Sequence, residues 1–114
     1  MLLYVMVAGA FGSGARYLVA TTVPHGTVVV NLIGCFVLGA VVQLASAGNW
    51  SPELRAAIAV GFLGGFTTYS AFNQETITML TSGALGSALA NIAITLLGGL
   101  AAGWTGMVAA RAIG

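Results

Sequence analysis

Residues 61–76 read GFLGGFTTYSAFNQET, a polar and glycine-rich stretch inside an otherwise apolar chain. The stretch opens with three glycines, passes through two threonines and ends with aromatic, amide and carboxylate side chains. A soluble protein would carry such a run in a loop, but here long apolar segments flank it on both sides. The fold therefore depends on how the apolar surroundings accommodate these polar residues.

The composition places this chain in a lipid bilayer. Of its 114 residues 59% are hydrophobic and only 4% are charged, with neither Lys nor Asp, and the mean hydropathy is +1.04. Soluble domains carry about 25% charged residues, so the sequence predicts an all-α integral membrane protein embedded in lipid. It has no basic cluster to bind nucleic acid. The apolar N-terminus lacks a preceding basic region, which favours a first membrane span over a cleaved signal peptide.

Four apolar segments are long enough to cross a membrane, at residues 2–20, 27–46, 54–80 and 84–110. The breaks between them contain the turn-forming residues Pro, Gly and Ser. Ser51 followed by Pro52 is typical of an N-cap with proline in the first helical position. We therefore predict four transmembrane helices in a single domain, 1–114, with both termini on one side of the membrane.

The arginines give only a weak orientation signal. Arg16 lies near one side of the predicted bundle, whereas Arg55 and Arg111 lie near the other, offset in part by Glu53. Orientation follows the Lys/Arg bias of short loops. The chain could therefore insert in both directions and form an antiparallel homodimer, or it could be an ordinary oriented protein helped by a partner. Charge alone does not decide between these alternatives.

Polar side chains at hydrocarbon depth need a partner or a wet cavity. In the second span Asn31 follows Thr27 by one turn, and in the fourth Ser87, Asn91 and Thr95 are spaced i, i+4, i+8 on one helix face. Any one hydroxyl more often bonds a carbonyl of its own helix, but a stripe together with a buried Asn favours a polar track. Its groups are uncharged donors, which suit water, a small neutral solute or a small hard anion.

Two aromatic residues stand three apart in the third span, Tyr69 and Phe72. The edge of an aromatic ring is the positive part of its quadrupole, so ring edges and hydroxyls could meet an anion together. The alternative is that both rings only pack. Glycines recur in the spans, including the pair Gly99 and Gly103, and are expected to let helices approach closely.

Three sequence patterns together resemble one known family. They are GxxGxxxRY in the first span (Gly9, Gly12, Arg16, Tyr17), TxxxNLIG in the second (Thr27, Asn31, Leu32, Gly34) and GFLGGFTTYSAFNQET in the third. Over its whole length the chain resembles the Fluc (CrcB-type) fluoride channels. The resemblance implies a fluoride-selective channel in the bacterial inner membrane that passes fluoride passively outward and gives fluoride resistance.

The resemblance also implies an assembly and a cofactor. Members of this family are antiparallel homodimers of dual topology with two fluoride pores. A structural sodium ion lies at the dimer centre, at a break in the third helix. By position in the motif, the backbone carbonyls of Gly64 and Thr67 would hold this ion.

The same mapping implies two sets of site residues. The pore residues would be Thr27, Asn31, Tyr69, Ser70, Phe72, Asn91 and Thr95, and the vestibule residues would be Arg16 and Glu75. The chain departs from the commonest family pattern at three positions. Tyr69 stands where many members have Phe, Asn91 where some have Tyr, and Gly99 where others have Ser.

Other classes fit the sequence less well. A small multidrug-resistance-type proton-coupled exporter also has four spans, but that class needs a carboxylate in its first helix, and this chain has none there. A structural subunit without transport would not need the polar stripe. An enzyme is not expected, since His25 lies in a loop without partners and Cys35 is flanked by Gly34 and Phe36 at hydrocarbon depth. No catalytic residue is predicted.

Overall fold

The computed structural model describes residues 1–113, which form helices and connecting turns with no strand among them. Two long helices come first, α1 (Leu2–Thr22) and α2 (Gly26–Ala47). The third apolar segment consists of two helices, α3 (52–66) and α4 (Tyr69–Thr81). The last helix is α5 (Leu85–Ile113). Helices α1, α2 and α5 are each long and apolar enough to span a membrane, which makes this a multi-pass membrane protein.

Local sequence signals determine the helix ends, and the Ser51 prediction is confirmed. The Ser51 hydroxyl accepts a hydrogen bond from the Leu54 amide at 3.1 Å, with Pro52 in the first turn of α3. Gly83 adopts a left-handed conformation (φ 82°) in the turn between α4 and α5, a backbone shape that glycine adopts without steric cost. The helices extend slightly beyond the predicted spans, and α5 continues to Ile113.

The break in the third segment lies at Thr67 and Thr68. Both residues have extended backbone, with φ −88° and ψ 159° at Thr67 and φ −151° and ψ 119° at Thr68. The glycines before the break remain helical, and Gly61 belongs to a π-helical stretch, Ala56–Phe62, within α3. The helix therefore ends at the threonines, after the glycine-rich part of the motif.

Two helix pairs pack closely because glycine lies at the contact. Helix α1 packs on α3, and α2 packs on the C-terminal half of α5. A Cβ atom on Gly12 would overlap the Phe62 carbonyl, and one on Gly39 would overlap the Gly103 carbonyl. Gly103 belongs to the GxxxG pair, so the expected close packing at this residue is confirmed.

Most large apolar side chains lie on the surface of this chain, which measures 50 × 31 × 20 Å. Leu100 and Trp104 are 74% and 66% exposed, whereas Val30 is fully buried. Such a surface needs lipid or another protein to cover it. Besides a small apolar core, the fold buries three polar side chains, those of Asn31, Thr76 and Asn91.

Candidate functional site

A groove of about 280 Å³ opens at the helix break. Residues from α2, α3, α4, α5 and the break line it. The polar lining residues are Asn31, Thr67, Thr68 and Thr95, and the aromatic ones are Tyr69 and Phe72. No charged side chain is among the lining residues within the described part of the chain. The groove therefore combines apolar side chains with hydroxyls, an amide and two aromatic rings.

The side chain of Asn31, on α2, bonds the backbone at the helix break. Its Nδ2 donates to the Thr68 carbonyl at 3.0 Å, and its Oδ1 accepts from the Thr68 amide at 2.8 Å. Asn31 is 9% exposed, so both bonds form away from bulk water. Buried backbone groups outside a helix need such partners. One side chain therefore satisfies the peptide groups of Thr68 that the broken helix leaves unpaired.

The bonds to Asn31 change the pairing of the carbonyls before the break. In a continued helix the Thr68 amide would donate to the Gly64 carbonyl, but it donates to Asn31 instead. The next carbonyl, that of Gly65, accepts from Arg16 Nε of α1 at 3.0 Å. Arg16 thus lies at the C-terminal end of α3, where a cation is favourable. The resemblance had implied a vestibule position for this residue.

The aromatic pair forms the wall of the groove on α4. The rings of Tyr69 and Phe72 meet edge to face, with centroids 5.6 Å apart and planes at 67°. Phe72 is buried at 6% exposure, while Tyr69 is 74% exposed. Tyr69 therefore contributes one face to the groove and leaves the rest of its ring open to whatever lies beyond the chain.

Thr95 places an unpartnered hydroxyl at the groove. Its Oγ1 is buried and makes no hydrogen bond within residues 1–113. Thr95 lies in a second π-helical stretch, Ile94–Gly98, within α5. Such stretches occur frequently at functional sites. A buried hydroxyl without a partner is unfavourable, so Thr95 leaves one unsatisfied polar atom beside the groove within residues 1–113.

The predicted stripe on α5 divides between two environments. Thr95 faces the groove, whereas Asn91 donates from Nδ2 to the Thr76 hydroxyl on α4 at 2.9 Å. Ser87 is exposed. The sequence alone predicts no role for Thr76, and its only signal is the position of Thr76 at the end of the polar motif, four residues after Phe72.

The remaining predicted residues lie outside the lining of the groove. Thr27 is half-buried in the first turn of α2, and Glu75 is half-buried on α4. Ser70 is exposed, and its hydroxyl lies 3.2 Å from that of Thr68. A second cavity of about 210 Å³ adjoins the other side of the aromatic pair, bordered by Asn73 and Thr76.

Comparison with known proteins identifies the family of this chain. The family model described as CrcB-like protein, Camphor Resistance (CrcB), matches residues 3–107. A relative from Sorangium cellulosum named fluoride-specific ion channel FluC is 44% identical over 117 residues, covering 95% of this chain and 92% of the relative. Relatives of the same name from Gloeobacter violaceus and Citrifermentans bemidjiense are 42% and 38% identical. They cover 96% and 98% of this chain, and 94% and 98% of their own lengths. This chain belongs to the CrcB-like family.

Proposed function

We propose that this protein is a fluoride-selective ion channel that carries fluoride passively out of the cell and so gives fluoride resistance. The observation that carries the proposal is the match, over nearly the whole chain, to relatives named fluoride-specific ion channels. Those relatives are named channels rather than enzymes, in agreement with the expectation from the sequence. The groove at the helix break is the candidate path for the ion.

The chemistry of the groove supports an anion path. A selective path must replace the water around a small anion with donors at close range. The Thr95 hydroxyl is buried without a hydrogen-bond partner among residues 1–113, and one N–H of Asn31 remains after its bond to Thr68. The ring edges of Tyr69 and Phe72 add positive quadrupole. Because these groups carry no full charge, they can bind an anion without trapping it.

Passive flow is sufficient for export. The sequence contains no GxxxxGK[ST] motif and no lysine to complete one. In the inner membrane of a bacterial cell, where we place the protein, a negative-inside potential drives an anion outward. A fluoride channel therefore needs no coupled energy source.

We further infer an antiparallel homodimer of dual topology with two fluoride pores. Three features support it. Tyr69 lines the groove and is 74% exposed, so a second copy would cover it and complete the wall. Gly64 is exposed at the break with open space beside its Cα. The distribution of Arg16, Arg55 and Arg111 gives almost no orientation bias.

The break also fits a structural sodium ion at the dimer centre. Hard cations bind oxygen ligands, including backbone carbonyls. The Gly64 carbonyl has lost its helical amide donor, and the Thr67 carbonyl lies in extended backbone next to it. These two carbonyls would hold the ion and, through it, join the breaks of the two copies.

Three observations argue against the small multidrug-resistance-type exporter. Helix α1 contains no acidic residue to couple protons to transport. The relatives that match nearly the whole chain are named ion channels. No feature of the groove favours a large organic cation, because no carboxylate lines it within the described residues.

Flux from liposomes tests the proposed function. Purified protein in potassium-loaded vesicles with a potassium ionophore should release fluoride rapidly and chloride far more slowly, as measured with ion-selective electrodes. Empty vesicles provide the control. Chloride flux equal to fluoride flux, or no fluoride release above the control, would rule out the channel.

Surface labelling in cells tests dual topology separately. In a Cys35→Ala background, Ser82→Cys places one thiol in the exposed turn after α4. A membrane-impermeant maleimide added outside should label about half of the chains if both orientations occur. Labelling of nearly all chains or of nearly none would show a single orientation.

A further inference from the structure

We propose that Thr76 is a positioning residue for the ion path, and that Asn91 acts on the path through Thr76 instead of contacting the ion. The inference rests on the proposed function, because it concerns how the wall of the same groove is held. It changes the role implied for Asn91 and adds a residue, Thr76, to the site.

A chain of two hydrogen bonds joins α5 to the backbone of the aromatic wall. Asn91 Nδ2 donates to Thr76 Oγ1 at 2.9 Å, and Thr76 Oγ1 donates to the Phe72 carbonyl at 2.8 Å. Thr76 and Asn91 are each 8% exposed. A threonine hydroxyl has a single proton. The amide donor of Asn91 therefore leaves that proton free for the Phe72 carbonyl, and the direction of both bonds is fixed.

The position of this link in the fold explains what it does. Phe72 belongs to the groove wall on α4, and Thr95, which lies one turn beyond Asn91, belongs to the wall on α5. The link from Asn91 to Thr76 therefore connects the two helices that carry these groups. Buried side-chain bonds of this kind resist sliding of one helix past another. Thr76 thereby keeps the buried ring of Phe72 in register with the free hydroxyl of Thr95.

The geometry also argues against direct ion contact by Asn91. Asn91 is not among the lining residues of the groove within the described chain, and one of its two N–H groups is already donated to Thr76. Thr76 borders the smaller cavity beyond the aromatic pair, but its proton is donated to Phe72. An anion in that cavity could accept a hydrogen bond from Thr76 only if the bond from Thr76 to the Phe72 carbonyl were broken.

A double-mutant cycle separates the two roles. Thr76→Val keeps the shape of the side chain and removes the hydroxyl, whereas Asn91→Leu removes the donor. We expect each variant to lower the initial fluoride efflux rate about tenfold. The double variant should be no slower than the slower single variant, because both changes break one chain of bonds. Thr76→Ser, which keeps the hydroxyl, should stay within about twofold of the wild type.

The chain offers a matched control in Thr78. Its hydroxyl makes the same bond to the carbonyl four residues earlier, that of Gln74, at 2.9 Å. Thr78 is exposed on the same helix and does not border either cavity. Thr78→Val should therefore leave fluoride efflux within about twofold of the wild type. An equal loss in Thr78→Val and Thr76→Val would mean that any such intrahelical bond matters, and would overturn the proposal.

Two further results would also overturn it. If the rate losses of Thr76→Val and Asn91→Leu multiply to about a hundredfold in the double variant, Asn91 acts on the ion independently of Thr76. Wild-type efflux in Thr76→Val would show that the link does not position the path. If Thr76→Val does not yield folded protein, wild-type efflux in Asn91→Leu would show the same.

Thermal unfolding of the same proteins in detergent distinguishes this inference from the proposed function. The Thr76–Asn91 bond should appear as a non-additive loss of melting temperature even if the wild-type protein carries no fluoride. Failure of the wild type in the liposome assay would therefore reject the channel. Additive losses of melting temperature would reject the bond itself.

Discussion

Asn31 is the residue on which the groove depends most directly, and its replacement should disable the channel. The informative pair of changes is Asn31→Leu and Asn31→Asp. Leucine removes both bonds to Thr68, which measure 3.0 and 2.8 Å. Aspartate keeps an acceptor for the Thr68 amide but turns a carboxylate oxygen toward the Thr68 carbonyl, where two acceptors repel each other.

The size of the effect follows from the two backbone groups left without partners. Leaving a buried donor or acceptor unsatisfied costs about 1–3 kcal/mol, so two such groups cost about 2–6 kcal/mol if they stay dry. Hydrogen bonds between side chains in membrane proteins average only about 0.6 kcal/mol, which makes about 1 kcal/mol the lower bound for the pair. Since about 1.4 kcal/mol is a factor of ten in rate, a cost of at least about 1 kcal/mol predicts at least about a fivefold loss of fluoride efflux in Asn31→Leu.

Two measurements on each variant check this prediction. Fluoride efflux from liposomes measures conduction through the path. Hydrogen exchange at the Thr68 amide measures the stability of the break, and this amide should exchange faster once Asn31 Oδ1 is lost. Efflux should be slower in Asn31→Asp than in Asn31→Leu, because the carboxylate charge repels the anion. The Thr68 amide should exchange more slowly in Asn31→Asp, because a carboxylate oxygen still accepts its hydrogen bond.

Gln43→Leu is the matched control for Asn31. Gln43 has the same amide group on the same helix, about 18 Å along its axis, and accepts a bond from Arg111 at the end of the bundle. This variant should keep wild-type efflux. Wild-type efflux and unchanged hydrogen exchange at the Thr68 amide in Asn31→Leu would refute the role of Asn31 in stabilising the break.

Three other predictions concern the groove wall and the helix packing. Phe72→Ile, which removes the buried ring of the edge-to-face pair, should abolish fluoride efflux while size-exclusion chromatography shows an intact dimer; normal efflux would remove Phe72 from the path. Thr95→Val removes a hydroxyl that bonds no other group among residues 1–113. The variant should keep or raise the melting temperature and lower fluoride efflux about tenfold. A clear loss of stability would contradict the absence of a bond at this hydroxyl. In Gly39→Ala the new Cβ would overlap the Gly103 carbonyl, so the protein should be destabilised by about 1–3 kcal/mol. An unchanged melting temperature would show that α2 and α5 can separate at no cost in free energy.

The sequence predicts the helical plan well because apolar length and turn residues are local signals. Three of the four apolar segments each form one helix, whereas the third forms α3 and α4. Ser51 caps α3, as its position before Pro52 indicated. Close packing at Gly103 was expected from the spacing of Gly99 and Gly103, although that spacing did not identify α2 as the neighbouring helix. Each of these features depends on residues that are near one another along the chain.

The position of the helix break was less predictable because it depends on a residue from another helix. Glycine lowers helix propensity, which pointed to the glycine-rich half of the motif, yet α3 continues through Gly64 and Gly65. The chain leaves the helix where Asn31 can bond the Thr68 peptide groups. That contact joins residues 37 positions apart. For the same reason the bond between Thr76 and Asn91 could not be read from helix periodicity.

The glycines before the break act on the neighbouring helix instead. A Cβ on Gly65 would lie 2.7 Å from the Gly9 carbonyl, and one on Gly61 would lie 2.8 Å from the Ala8 Cβ, so only glycine lets α1 pass this close. That approach brings Arg16 within 3.0 Å of the Gly65 carbonyl. The motif is thus held from two sides, by a guanidinium of α1 before the break and by an amide of α2 after it. Because these groups bond the freed backbone, a chain with almost no charge can hold a broken helix beside its uncharged groove.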